Sequence, residues 1–500
     1  MRKIPLAIIS LAVLILVSAC LSPPEIPGPG TPAEPVMPTV LPEPPAEIAS
    51  PETPEIPAPV AELPPDEEEA ESLEHILERV FVLLDAGDYE GALALFDLID
   101  GEDAESGRIL LLKASILCSA GRYPEAREIT EAVRVREPEN TEALLVLSSL
   151  EGALGREREQ KAALERILKI DPLHVPALVD LGNLAVRGQN RSPSQAAAFF
   201  DQALAAEPDN PDALLGRAEA YRFARDPRKA EELLNRGIKR YPADARFWSG
   251  RAQLYRDAGF PLQALEDLNT ARDLDAGDYW IAMDRGMTLV DLNRKPLALE
   301  EFTRAQSLNP DHFLSYVYTA GIKDEAGDYA GAEADYRTLV ALRPDYYFGL
   351  EGLGMLLMRN HRWQEARDAF IQAYNLAPAE WTYALLGMMN WRRLEQPGNI
   401  RDFANLALRK LQRNSMEYAM IRLYLEMNGD DGVARRVNQE KDPKLKARML
   451  YYLANYYDIK GNTRLAEIML SEIMNLEQRM TIPEWRLVLW ALEERNLAAY

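Results

Sequence analysis

Prolines return along this chain at almost fixed spacing, as Pro138, Pro172, Pro208, Pro242, Pro310, Pro344 and Pro378. The steps are 34, 36, 34, 68, 34 and 34 residues, and Ala276 stands in the slot inside the double step. A period this strict restricts the chain to an array of small units, each of which buries its apolar face only against its neighbours. A 500-residue chain ordinarily suggests several globular domains, but an open array simply adds units, so one elongated repeat domain is the better expectation.

Within each period the same residues recur in phase. A small residue lies near the middle of a first helical segment (Ala114, Gly182, Ala218, Ala252, Gly286, Ala320, Gly354) and another early in a second (Ala126, Ala196, Ala230, Ala264, Ala298, Ala332, Ala366). Small side chains at both places allow two helices to approach closely. Four residues later a large apolar group often follows, as Phe200, Leu234, Leu268, Phe302, Tyr336 and Phe370, and fills space toward the next unit. The proline then stops the second helix, because it lacks an N–H and clashes with the preceding turn.

The segments Gly121-Arg-Tyr123-Pro-Glu-Ala126, Gly327-Asp-Tyr329-Ala-Gly-Ala332 and His361-Arg-Trp363-Gln-Glu-Ala366-Arg-Asp-Ala-Phe370 resemble the tetratricopeptide repeat, a 34-residue pair of antiparallel helices. The resemblance covers most of the chain and implies an all-α, right-handed superhelical solenoid of about ten to twelve helix pairs. On this phase repeats begin near Leu73, Gly107, Thr141, Val175, Pro211, Ala245, Tyr279, Phe313, Tyr347 and Trp381. The third is degenerate, with Gln160 in a small-residue slot, and the fourth carries a two-residue insertion around Gln189 to Pro193, which a turn absorbs cheaply. After about residue 396 the phase is lost. It returns once, from Ala454 to Ala466, ahead of a closing helix over Pro483 to Leu492.

The N-terminus carries a different message. Arg2 and Lys3 precede an apolar run from Ile4 to Val17, and Val17-Ser18-Ala19-Cys20 follows. The run is short for a transmembrane span and reads as a secretory signal. The small residues before the cysteine resemble the lipobox of bacterial lipoproteins, which implies cleavage after residue 19 and lipidation of Cys20, palmitate being among the expected chains. An ordinary signal peptide or an anchor helix is the plainer reading. At ~0.8 kcal/mol per buried methylene, two or more chains would hold the protein stably on a membrane. Residues 21 to 66 are dominated by proline, glutamate and small residues, with no lysine or arginine between Lys3 and Arg79. Such a segment builds no core; at ~3.1 Å per residue in polyproline II it would reach roughly 100 Å as a stalk. A proline-rich ligand for a partner domain is the alternative. The expected organisation is therefore 1-19 signal peptide, 20-66 lipidated cysteine and stalk, 67-396 regular repeats, and 397-500 divergent repeats with a capping helix.

The net charge of −23 includes about fourteen acids between Glu25 and Glu78. Without a basic excess over the repeats, nucleic-acid binding is not expected. The local exception is residues 391 to 450, where Arg392, Arg393, Arg409, Lys410, Arg413, Arg435, Arg436, Lys444, Lys446 and Arg448 outweigh nearby acids; this is a solvated face or a docking patch for an acidic partner. With Cys20 committed to an anchor, Cys118 is the remaining thiol and reads as a buried, inert one. The four histidines lack metal-ligand spacing, and no phosphate loop or nucleophile elbow is present. The expectation is a non-enzyme without metal or cofactor.

What remains is recognition. In the family this chain resembles, first helices line a concave groove through positions near 2, 5, 9, 12 and 13. Those positions hold Ser115, Ser149, Asn183, Glu219, Arg222, Arg246 and Gln253 in the earlier repeats. In the later ones they hold Trp280, Met283, Met287, Leu314, Val317, Phe348, Met355, Met358 and Met389, with Arg359, Arg392 and Arg393 at the edge. Methionines and aromatics on an accessible concave face suit a protein or peptide partner, while the same residues as core packing are the plain alternative. The lysine and asparagine set that clamps a C-terminal carboxylate in this family does not occur in consecutive repeats. Trp485 and Trp490 are expected to cap the last repeat or hold a partner, and some of Tyr451, Tyr452, Tyr456 and Tyr457 to face outward. The resulting expectation is a lipid-anchored envelope scaffold of an assembly or secretion complex, periplasmic and on the outer membrane, since Leu21 offers no retention aspartate. A surface adhesin and a glycan-binding or polysaccharide-export accessory solenoid are the alternatives.

Overall fold

The computed structural model describes residues 72–188, 191–394, 399–477 and 479–497. Cys20 and the segments expected to be a signal peptide and a stalk lie outside them. Among the described residues the chain is helical without strands, and it divides into two compact units, up to Leu254 and from Tyr255.

In the first unit helix pairs follow one another with little variation: Gly107–Ser119 with Tyr123–Arg136, Thr141–Ala153 with Glu157–Ile170, Val175–Arg187 with Pro193–Ala206, and Pro211–Phe223 with Pro227–Arg240. The opening pair is less regular, because the helix Tyr89–Ala94 runs into a 3-10 turn, Leu95–Leu98. Gln160 is tolerated in its slot, lying buried within an unbroken helix. In the second unit the pairs are Tyr279–Asp291 with Lys295–Leu308, Phe313–Glu325 with Tyr329–Leu342, and Tyr347–Arg359 with Trp363–Leu376. Each of the ten expected repeats opens a helix at the residue read from the phase. Beyond them, Ile400–Leu408, Met416–Glu426 and Asp430–Gln439 are shorter, and Pro443–Ile459 with Thr463–Met474 restores the regular pattern before Trp485–Glu494 closes the chain.

The periodic residues act as their chemistry requires. The seven second-helix alanines from Ala126 to Ala366 are all buried. A Cβ built on Gly286 would lie 2.5 Å from the Phe302 ring, and one on Gly354 2.7 Å from the Phe370 ring. Glycine is therefore needed where an aromatic four residues past the alanine reaches across. Second helices end two residues ahead of each periodic proline, since the residue before proline is pushed out of the α region. Leu274 ends its helix in the same place although Ala276 replaces the proline, so neighbour packing alone can set that boundary. Between the two helices of a repeat one residue sits in the left-handed region: glycine at 87, 121, 155, 259 and 327, but Arg225, Asn293 and His361 in their repeats.

Two expectations change. All four tyrosines from Tyr451 to Tyr457 are buried. Their helix, Pro443–Ile459, is enclosed on several sides: Trp381 lies against Tyr452, Tyr424 against Tyr456, and Asp430 accepts the Tyr457 hydroxyl at 3.0 Å. From Met449 to Tyr457 every residue of the helix is buried, as a stretch apolar on all faces requires. The basic run over 391 to 450 is divided: Arg409, Lys410, Arg413, Arg435, Arg436 and Lys444 are exposed, as on a solvated face, while others are tied inward. Arg393 meets Asn455 and Asp458, Lys446 meets Glu472, and Arg448 meets Glu484.

Candidate functional site

Every first helix from the seventh repeat to the tenth opens on an aromatic: Tyr279, Phe313, Tyr347 and Trp381, at steps of 34 residues. Earlier repeats open on Leu73, Gly107, Thr141, Val175, Pro211 and Ala245. Because the period equals the repeat, the late rings stand in register from one repeat to the next, and neighbouring residues extend the row. Trp280 packs edge-on to Tyr279 and to His312, with centroids 5.0 and 5.1 Å apart. His312 stacks on Phe313 at 5.7 Å, Phe313 meets Tyr346 at 5.8 Å, and Tyr346 meets Phe348 at 5.8 Å. Tyr347 lies 4.3 Å from Phe348.

This ridge is accessible along most of its length. Phe348 is 44% exposed, and Trp280, His312, Phe313, Tyr346 and Tyr347 are half-buried. Its polar atoms are few and placed. The Tyr279 hydroxyl and His312 Nδ1 are 2.7 Å apart, and the Arg343 guanidinium covers the Phe313 ring at 4.6 Å while bonding Asp345. Burial pushes the Tyr279 phenol up to about 12 and raises that of Tyr346, so both are neutral hydrogen-bonding groups at physiological pH. The surface offers ring faces with a few hydroxyl and imidazole atoms between them. Such a surface suits apolar segments.

The residues read from sequence as groove contacts fall into three groups. Trp280 and Phe348 belong to the ridge, and Met287 and Val317 are half-buried beside it in sequence. Met283, Leu314, Met355, Met358 and Met389 lie in the interior, where methionine fills irregular space between helices. Arg392 is half-buried and donates to the carbonyls of Tyr424 and Leu425, tying down the end of the helix Met416–Glu426. The late first-helix face is covered because the chain's own C-terminal helices return to it: Arg448 stacks on Trp381 and bonds Thr382, and Arg486 bonds Asp324. In the earlier repeats Ser115 and Ser149 are buried, and Glu219 is paired with Arg187 at 2.8 Å. His312 and Tyr346 were missed by reading standard groove positions. The aromatic repeat starts adjoining them were visible in the sequence.

Cys118 is buried. Among the described residues no group of three or more His, Cys, Asp or Glu side chains is placed to hold a metal ion, and no helix is long and apolar enough to cross a membrane.

Tetratricopeptide repeat families match residues 83–150 and 189–254, and, through a second family, residues 283–347 and 320–380. No curated protein matches the chain. Among solved structures, a tetratricopeptide repeat protein from Parabacteroides merdae is 22% identical over 49% of this chain and 96% of its own, with a TM-score of 0.41. PilW, a type IV pilus biogenesis factor, is 20% identical over 41% of this chain and 94% of its own, with a TM-score of 0.37. The human IFIT1 dimer with PPP-AAAA is 16% identical over 82% of this chain and 91% of its own, with a TM-score of 0.41. The helix pairs matched over 83–150, 189–254 and 283–380 are tetratricopeptide repeats.

Proposed function

We propose that this chain is a non-catalytic scaffold of a bacterial cell envelope, held to the outer membrane through lipid on Cys20, set off from it by the segment 20-66, and recruiting a protein partner in an assembly or secretion complex. The lipobox-like Val17-Ser18-Ala19-Cys20 supports the anchor, and Leu21 favours the outer membrane, facing the periplasm. The observation that carries the recruiting role is the aromatic ridge from Tyr279 to Phe348. Half-buried to exposed rings that run over three repeats offer a partner apolar contact without unfolding any repeat.

Crosslinking from intact envelopes, with wild type and Trp280→Ala/Phe348→Ala compared at equal folding by circular dichroism, tests the role. Loss of a specific crosslinked protein in the variant is expected, and full retention rejects the ridge. Cys20→Ala is expected to move the protein from the membrane fraction to the soluble one. A glycan ligand is a second reading, favoured by the partly exposed Trp280 and by the polar atoms between the rings; glycan binding that disappears in the same double variant would support it. A surface adhesin is separated from a periplasmic scaffold by adding protease to intact cells.

A further inference from the structure

Contacts in a stacked array join neighbours, yet the last helix, Trp485–Glu494, reaches residues more than 160 positions earlier in the same unit. Its side chains divide into two stripes. Leu487, Val488 and Leu492 are buried in the core shared with the final repeats. Arg486, Trp490 and Glu494, spaced four apart and so on one face, meet the eighth and ninth repeats. The Arg486 guanidinium bonds Asp324, whose side chain is only 2% exposed. Trp490 Nε1 donates to the Tyr329 hydroxyl at 3.3 Å, and the two rings meet edge to face at 5.6 Å. Arg359 lies over the Tyr329 ring at 3.9 Å and over the Trp490 ring at 5.6 Å. Glu494 approaches His361 at 3.4 Å.

Asp324 and Arg359 occupy positions 12 and 13 of their first helices, groove positions in the reading above. We propose that Asp324, Tyr329, Arg359 and His361 form a helix-binding site, that the chain's own last helix is its resident ligand, and that a partner helix carrying arginine, an aromatic four residues on and an acid four further on displaces it. The partner chemistry follows from what each receptor group can accept. A carboxylate enclosed by Tyr336 and the first helix needs a cation, which Arg486 supplies through a charge-assisted bond from one Nη to Asp324 Oδ1. The guanidinium of Arg359, already on one ring, gains a second face from Trp490. His361 gains an acid. The stripe is half-exposed at both ends, Arg486 at 39% and Glu494 at 57% of their side chains, so an incoming helix can replace the contacts from the rim inward. This site is separate from the aromatic ridge, and its test is independent of the partner sought there.

The probe is a fluorescein-labelled peptide of residues 479–497, added to the full-length chain and followed by anisotropy. Binding to Arg486→Glu/Trp490→Ala is expected to be saturable and at least tenfold tighter than to wild type, whose site is filled. Asp324→Arg added to that variant should abolish it, and a peptide carrying Arg486→Asp should restore binding to the Asp324→Arg chain. Equal binding by wild type and variant, or none by either, overturns the proposal. Hydrogen exchange of the wild type provides a test that needs no variant. Amides of 485–494 should exchange faster than those of 443–474 and faster still with excess peptide; exchange in step with 443–474, unchanged by peptide, shows a permanent cap and overturns it. A wild-type dimer in light scattering that the peptide dissolves would give the site to a second copy's helix and also overturn it as stated.

Discussion

Glu484 is the strongest single test of how the C-terminal segment is held. Its carboxylate is fully buried and accepts from Arg448 Nε at 3.0 and 3.1 Å and from the Tyr452 hydroxyl at 2.9 Å. Removing one partner of a buried pair costs about 3–5 kcal/mol, because the other charge is left without compensation. Here Arg448 keeps Thr382, keeps the Trp381 face at 4.0 Å, and is 18% exposed, so the lower end applies to the charge. The orphaned Tyr452 hydroxyl adds about 1 kcal/mol or more. Glu484→Ala is therefore expected to cost about 3–4 kcal/mol, and Glu484→Gln, which keeps an acceptor for Tyr452 but loses the charge, about 1 kcal/mol less. Removing both charges with apolar groups, as in Arg448→Met/Glu484→Leu, should cost less than Glu484→Ala alone. Repeat arrays depart from two-state unfolding, so the assay is native-state hydrogen exchange over 443–494. A loss of ~3 kcal/mol accelerates exchange there by on the order of a hundredfold. A double variant whose cost equals the sum of the two single ones would refute the argument, since a coupling energy near zero means that the pair does not act as a pair.

The remaining predictions concern repeats elsewhere in each unit. Arg225 sits at φ 58° where other repeats use glycine; Arg225→Gly should stabilise by ~0.5–1 kcal/mol, the left-handed strain removed less the entropy glycine adds to the unfolded chain, read as a higher urea midpoint. Burial and the neighbouring Asp212 push the Asp180 carboxyl up to about 7. Its folded value exceeds the unfolded one, so the native state holds the extra proton and stability falls as pH rises from about 4 to 7. Asp180→Asn should thus be near neutral at pH 4 and stabilising by at least ~1 kcal/mol at pH 8, checked by melts at both pH values. Phe302→Ala should cost ~3–5 kcal/mol, because its ring is wholly buried over Gly286, whereas the exposed Phe348→Ala should cost under ~1 kcal/mol; similar losses would contradict the division between core and ridge.

The start of each regular repeat was legible because a fixed period places each residue in the same environment. A small residue under a phenylalanine, or an alanine between two helices, therefore needs no long-range information to be read. The groove was legible only as a row of positions. Whether Met355, Met358 and Met389 face solvent depends on helices after residue 396, where the repeat phase fades and local sequence no longer reports what packs on what. Their burial and that of the four tyrosines have the same cause, a C-terminal segment that folds against late first helices. Arg392 and Arg448 looked like surface charge for the same reason: a guanidinium bonded to distant carbonyls or to a buried glutamate carries no periodic mark.

That return contact changes the energetics expected of such an array. A solenoid whose units touch only their neighbours has stability close to a sum of local terms, and an end unit frays without consequence for the middle. Here the last helix closes the terminal face with Leu487, Val488 and Leu492 while its opposite stripe holds Asp324, Tyr329 and Arg359. Capping and occupation of the groove are performed by the same ten residues, so neither can be lost alone. Substitutions in the cap and in the helix Phe313–Glu325 should couple despite more than 150 residues of separation: Leu487→Ala combined with Asp324→Asn should cost less than the two measured singly. Once the cap is loosened, the Asp324 carboxylate regains water, and its bond to Arg486 no longer contributes. Strict additivity in that pair would mean that the stripe rests on the groove without being supported by it.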